Sequence, residues 1–122
     1  MRSVIIATIS FIILIACTAA NSIFILTEIS NLADDLEEVP EIDALDCFDR
    51  LQHFEKKWTS FKKTAALTLS HSELNKISCY ISELYVHLKN SNDIDFDNTL
   101  VMLGNALDEL SRTEKLSFES IF

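Results

Sequence analysis

The sequence contains very few of the residues that tight turns require. Its 122 residues include one glycine and one proline. Because hairpin turns place glycine, asparagine or aspartate at positive φ, this composition makes a multi-stranded sheet difficult to build. A glycine-rich phosphate loop is also missing, since Gly104 stands alone inside an apolar helical pattern. The sequence therefore predicts an all-α fold, in a chain long enough for one domain.

Basic residues are scarce, and this excludes one class of partner. The chain has 10 Lys and Arg against 19 Asp and Glu, for a net charge of −9. Nucleic-acid binding needs a clustered basic face that neutralises phosphates, so nucleic acid is not expected as a partner. The charges are also unevenly placed. Residues 28–55 hold ten acids against the single base Arg50, whereas residues 56–89 hold six lysines.

Histidine and cysteine are few and lack the spacing of metal ligands. The three of each form no Cys-x-x-Cys and no His-Glu-x-x-His, so neither a metal nor another cofactor is expected. No spacing brings a nucleophile, a base and an orienting acid together, so we predict no enzymatic activity. A Cys47–Cys79 disulfide is an option for an outward-facing domain. However, Cys79 lies about 200° around its helix from Ile77, off the core face, so free thiols are predicted.

The N-terminal segment predicts a membrane anchor. Val4–Leu26 contains 23 residues without a charge, which is sufficient for one helical span. Arg2 precedes this segment and an acidic stretch follows it, so the positive-inside rule places the N-terminus in the cytoplasm. We therefore expect a single-pass protein of the cell membrane, with residues 1–3 cytoplasmic, 4–26 transmembrane and 27–122 extracytoplasmic.

A cleaved or lipidated N-terminus is the alternative interpretation. Leu14-Ile15-Ala16-Cys17 is similar to a bacterial lipobox, in which Cys17 is lipidated and becomes the new N-terminus. Ordinary cleavage after Ala19 or Ala20 is a third possibility. The apolar run resumes after Cys17, where a lipoprotein usually has a polar tether, and this favours the uncleaved helix. Both the uncleaved helix and the lipidated Cys17 leave the chain at a membrane, facing outward.

Apolar residues recur at helical spacing along the rest of the chain. We predict helices at about 27–39, 41–67, 70–89 and 93–111, followed by an apolar tail at 114–122. Pro40 separates the first two, Ser70 and Glu73 form a capping box, and Asn92 caps the fourth. Burying these faces calls for a small antiparallel bundle that continues from the membrane helix. The predicted core positions are Ile25, Ile29, Leu32, Leu36, Val39, Ala44, Leu45, Cys47, Phe48, Leu51, Phe54, Trp58, Phe61, Ala65, Leu74, Ile77, Ile81, Leu84, Leu88, Phe96, Leu100, Leu103, Leu107 and Leu110.

Four lysines in the second predicted helix suggest a lipid contact. If that helix folds back along the first, its second half reaches the membrane surface. The hypothesis is that Lys56, Lys57, Lys62 and Lys63 contact anionic headgroups. The alternative is a solvated basic face that balances nearby acids.

Several short segments of the sequence resemble segments of a known protein family. They are Phe54-Glu55-Lys56-Lys57-Trp58, then His71-Ser72-Glu73-Leu74, and the C-terminal Glu114-Lys115-Leu116-Ser117-Phe118-Glu119-Ser120-Ile121-Phe122. Together they resemble the small anchored proteins grouped as domain of unknown function 4363, from anaerobic Gram-positive bacteria. The resemblance implies an anchor followed by helices and implies no activity. It marks His71 and Glu73 as a family phrase, although Glu73 already has a capping role.

These features predict an interaction or assembly module for another envelope or membrane protein. The acidic segment from Glu28 to Asp49 and any uncovered apolar stripe would form its contact surfaces. The alternative is a lipoprotein-type sensor or small-ligand-binding protein, anchored through Cys17. It would need a pocket lined by Trp58, Tyr80 and Tyr85.

Overall fold

The computed structural model describes residues 1–121, with side chains as far as Ser120, and every regular element in this part of the chain is helical. Helix α1 spans Arg2–Glu37, α2 spans Cys47–Ala65, α3 spans His71–Lys89 and α4 spans Asp93–Ile121. The predicted all-α fold is confirmed. The first helix continues without interruption from the apolar N-terminal segment into the folded domain.

The four helices form a ring in which sequence neighbours lie side by side. Contacts join α1 to α2, α2 to α3, α3 to α4 and α4 back to α1. Contacts between side chains give the directions. Arg50 and Lys57 of α2 meet Glu38 and Asp35 of α1, so these two helices are antiparallel. Leu36 lies near Gly104 and Ser22 meets Glu114, so α4 is also antiparallel to α1. The helices therefore alternate in direction, as short connections require in an up-down-up-down bundle.

The core consists of the apolar faces that the sequence spacing predicts. Residues at spacings of three and four face inward in all four helices and exclude water from a continuous interior. Ala44, Leu88 and Leu100 are half-buried at its margin. The buried hydrophobic side chains are Ile25, Ile29, Leu32, Leu36, Val39, Cys47, Leu51, Phe54, Trp58, Phe61, Ala65, Leu74, Ile77, Ile81, Leu84, Phe96, Leu103, Leu107 and Leu110.

The start of α2 differs from the prediction. Residues 41–46 form turns rather than helix, with the Ala44 N–H bonded to the Glu41 carbonyl at 2.9 Å. Leu45 therefore projects fully into solvent and Phe48 is half-exposed, so the prediction that both widen the core stripe was wrong. The physical reason is local. Aspartates at 43 and 46 stabilise turns, and this competes with a helix directly after Pro40.

The starts of α3 and α4 use different caps. Ser70 is the N-cap of α3, but its side chain makes no capping hydrogen bond, so the predicted capping box is not formed. At α4, the Asp95 N–H donates to Asn92 Oδ1 at 3.2 Å, and Asn92 Nδ2 donates to Asp95 Oδ2 at 2.7 Å. The predicted Asn92 cap is confirmed. The Asn92 oxygen satisfies one backbone donor that a helix start leaves free, and the side-chain bond to Asp95 holds the Asn92 amide in place.

Helix α4 is longer than the sequence suggested. It continues through the segment predicted as a separate tail and ends at Ile121; the side chain of Ile121 and all of Phe122 lie outside the described part. Neither glycine nor proline occurs between 105 and 121. Glu114 and Phe118 extend the spacing of Leu107 and Leu110, so the same face of the helix keeps packing against α1.

Candidate interaction surface

The first half of α1 has no cover from the rest of the chain. Among the described residues, α1 is the helix that is long and apolar enough to cross a membrane. None of its most apolar 18-residue stretch is buried inside the fold. Residues 2–14 are exposed throughout, and large aliphatic side chains such as Ile9 and Leu14 are more than half exposed. Exposure of this apolar surface to water would cost free energy, whereas contact with lipid would not.

An acidic groove lies between α1 and α2, directly above this apolar segment. It encloses about 530 Å³. Its α1 side carries three carboxylates and its α2 side one ammonium group. Phe24 lies at the end nearest the apolar segment. The lining residues are Phe24, Glu28, Asn31, Leu32, Asp34, Asp35, Lys57, Ser60, Phe61 and Thr64.

A single ion pair spans this groove. The Lys57 Nζ lies 2.6 Å from Asp35 Oδ2, and the Asp35 side chain is only 17% exposed. The hydrogen bond to Asp35 raises the pKa of Lys57, and the nearby charges of Glu38 and Glu28 act in the same direction. The pair neutralises one acid of the groove. Glu28 and Asp34 are left to give the groove a negative potential.

The four lysines of α2 lie at different heights above the apolar segment. Lys57 is level with Asp35, which is 13 residues past Ser22 and therefore about 20 Å further along α1. Lys56 is at a similar height. Lys62 and Lys63 are closer, but the Lys62 Nζ is bonded to Ser78 Oγ at 3.1 Å. Lys56, Lys57 and Lys63 are exposed and Lys62 is half-buried, and contact of these four lysines with anionic headgroups stays a prediction.

The aromatic residues considered for a ligand pocket are used inside the fold. Trp58 is 2% exposed, and its Nε1 donates to Ser78 Oγ at 3.0 Å. The Tyr85 hydroxyl donates to Glu55 Oε1 at 3.3 Å, and its ring packs edge-on against Phe48. Burial, followed by the charge of Glu55, raises the pKa of Tyr85 to about 12. Trp58 and Tyr85 are thus held by contacts within the fold, and Tyr80 is half-buried against the core.

The three cysteines are free thiols in different surroundings. Cys17 is exposed within the apolar part of α1, Cys47 is buried, and Cys79 is exposed on α3. The position of Cys79 off the core face is as predicted. Burial raises the pKa of the Cys47 thiol, and the charge of Asp46 adds to this effect. The helix runs unbroken through Cys17, and an intact mass of membrane-extracted protein would separate a retained Met1 from a lipidated Cys17.

The His71–Glu73 phrase does not form a site in this fold. His71 is exposed at the first turn of α3, and Glu73 is half-buried beside Lys76 and Glu109. Residues two apart on a helix point to different sides, so the two side chains do not converge. Among residues 1–121, no group of three or more His, Cys, Asp or Glu side chains could hold a metal ion.

A buried polar contact ties the end of α4 to α1. Ser22 Oγ donates to Glu114 Oε1 at 2.8 Å, and the two side chains belong to residues that are 6% and 7% exposed. The sequence predictions did not include this pair. The sequence does contain an indication of this contact, because Glu114 lies on the continuing apolar face of α4 and Ser22 lies on the apolar face of α1. The contact holds α4 beside α1 at the end of the bundle nearest the apolar segment.

Comparison of the chain with known proteins found no matching family model, no matching curated protein and no matching solved structure. The resemblance to domain of unknown function 4363 therefore rests on the sequence phrases alone.

Proposed function

We propose that this protein is a membrane-anchored helical interaction module that binds another membrane or envelope protein through its acidic groove. The groove between α1 and α2 is the observation that supports this proposal. It combines unneutralised carboxylates on Glu28 and Asp34 with an apolar floor at Leu32 and Phe61. Such a surface fits a partner segment that carries lysine or arginine among apolar residues.

The position of the groove supports a partner at the same membrane. Phe24 lines the groove and also belongs to the predicted span, so the groove begins where α1 leaves the apolar segment. A partner's basic segment close to its own membrane anchor would meet the groove at this height. Anchoring both proteins in one bilayer raises their effective concentration, so a weak contact is sufficient.

The orientation of the module follows from its flanking charges. Arg2 lies at one end of the apolar segment and the acids from Glu28 onward lie at the other. Retention of positive charge in the cytoplasm places the bundle on the outer face of the membrane. No residue arrangement in the described part of the chain suggests a reaction, so binding rather than catalysis is the activity we propose.

Site-specific photo-crosslinking in native membranes tests this proposal. A photoreactive amino acid replaces Ser60, which lines the groove, or Ser82, an exposed serine on α3 that serves as the matched control. We expect one discrete adduct from position 60 and none from position 82. The adduct should disappear when Glu28→Lys and Asp34→Lys are combined in a protein with unchanged helical content. Recovery of monomer alone from both positions would contradict the proposal, and so would an adduct that survives the charge reversal.

A further inference from the structure

Helix α4 extends beyond the base of the bundle, alongside the apolar segment of α1. The Ser22–Glu114 contact sets the antiparallel register, so each later residue of α4 lies level with an earlier residue of α1. By this register Phe118 is level with Thr18, about 6 Å further toward the N-terminus of α1. The burial pattern of α1 agrees, because Ile15 and Thr18 are half-buried whereas residues 2–14 are exposed.

The uncovered part of α1 is too short to cross a bilayer alone. Residues 4–14 span about 17 Å as a helix, whereas a hydrocarbon core is about 30 Å thick. A span of about 17 to 20 residues that begins at Val4 ends between Ala20 and Ile23. The outer part of the span is therefore the part that α4 accompanies. The part of α4 from Glu114 to Ser120 then starts near the outer end of the span and reaches about 6–10 Å inside it.

Two exposed side chains at this end of α4 suit the outer boundary of the bilayer, while Glu119, which is also exposed, has to reach the headgroups or water. Leu116 is 59% exposed and would offer an aliphatic side chain to lipid. Lys115 is exposed beside it and can extend its ammonium group to the headgroups, as lysines do at membrane interfaces. Glu114 turns its carboxylate inward to Ser22 instead of outward to lipid, which satisfies a polar group where water is scarce.

We propose that the C-terminal turns of α4, from Glu114 to Ser120, insert into the outer interface of the bilayer beside α1. The protein would then contact lipid with two helices, and the bundle would stand upright and close to the membrane surface. The inference rests on the proposed anchoring by α1 and deepens it, but it does not depend on any protein partner.

Spin-label accessibility in the full chain tests the insertion. Nitroxides are attached to Leu116→Cys, Val101→Cys or Ile9→Cys in a chain carrying Cys17→Ser, Cys47→Ala and Cys79→Ser. The proteins are reconstituted in vesicles of phosphatidylcholine with phosphatidylglycerol. Val101 is the matched control, since it lies on the same helix and is 62% exposed. Relaxation by oxygen reports lipid contact, and relaxation by a nickel chelate reports water contact.

The outcomes separate the insertion from the anchoring itself. We expect lipid contact at position 9, water contact at 101 and a several-fold shift toward lipid contact at 116 relative to 101. Water contact at 116 equal to that at 101, with position 9 in lipid, would overturn the insertion and leave the anchor intact. Water contact at position 9 would overturn both. A label at 116 shielded from both relaxants, with coupling between spins, would show a second copy in place of lipid and also overturn the proposal.

A second readout avoids the cysteine substitutions. Tryptophan replaces Leu116 or Val101 in a Trp58→Phe chain that keeps its native thiols. Brominated lipids should quench the fluorescence from position 116 strongly and that from 101 weakly. Equal weak quenching at the two positions would overturn the insertion.

Discussion

Removing the Ser22 hydroxyl should destabilise the whole bundle, although the change is a single atom. The hydroxyl donates to Glu114 Oε1 at 2.8 Å, in a site where both residues are more than 90% buried. In Ser22→Ala the carboxylate loses this donor in a site that is largely closed to solvent. A buried acceptor left without a partner costs about 1–3 kcal/mol in the free energy of unfolding. With a typical urea dependence for a small domain, the midpoint should fall by about 1 M.

The assay is urea unfolding of the full chain in detergent micelles, followed by tryptophan fluorescence. Trp58 is the single tryptophan and is 2% exposed, so its emission should shift when the core opens. Ser30→Ala is the control, because Ser30 is an exposed serine of the same helix. Replacing either serine by alanine raises the helix propensity of α1 by the same amount, so the comparison isolates the loss of the hydrogen bond. Adding Glu114→Leu to Ser22→Ala should restore much of the loss, since the unpaired carboxylate is then gone. Equal midpoints for Ser22→Ala and Ser30→Ala would refute the reasoning.

Three further predictions follow from the same structure. Gly104→Ala should stabilise the protein by about 0.5–1 kcal/mol in thermal unfolding, because a Cβ there would meet its nearest neighbour at an ordinary 3.8 Å; a lower midpoint would contradict this. The raised pKa of Tyr85, about 12, means that its protonated form stabilises the fold fully below about pH 10 and that this contribution is lost as the pH rises through 12. Between about pH 10 and pH 12, the Tyr85→Phe protein should therefore lose less free energy of unfolding than the unaltered protein. Equal losses in the two proteins would contradict the burial of the hydroxyl beside Glu55. A water-soluble maleimide should modify Cys79 quickly and Cys47 only on unfolding, since Cys79 is exposed and Cys47 is buried with a raised pKa. Mass spectrometry measures the rate of modification of each thiol, and equal rates for Cys79 and Cys47 would contradict the position of Cys47 in the core.

Helical spacing predicted the core because burial depends mainly on which face of a helix a residue occupies. Ile25, Ile29 and Leu32 illustrate this, since their positions at spacings of four and three are buried as expected. The same reasoning failed at Leu45, where the spacing continued through a segment that is not helical. Turn formation after Pro40 depends on local competition for backbone hydrogen bonds, and the apolar pattern does not report that competition.

Contacts between residues that are far apart in the sequence could not be predicted from the sequence. The Ser22–Glu114 bond joins residues 92 positions apart and requires the register of α1 against α4. The acidic groove likewise depends on the height at which α2 passes α1, which the Lys57–Asp35 pair reveals. The sequence showed that acids cluster after the span and that lysines cluster in the second helix. It did not show which lysine is paired with an acid, which the Lys57–Asp35 contact reveals.

Topology in intact cells tests the central claim most directly, which is that α1 holds the bundle at the outer face of a membrane. Cys79 is an exposed native thiol on α3, so a membrane-impermeant maleimide can report which side the bundle occupies. We predict that the full chain sediments with membranes and that Cys79 is labelled in intact cells as completely as after lysis. A chain found in the soluble fraction, or a Cys79 labelled only after lysis, would contradict the account.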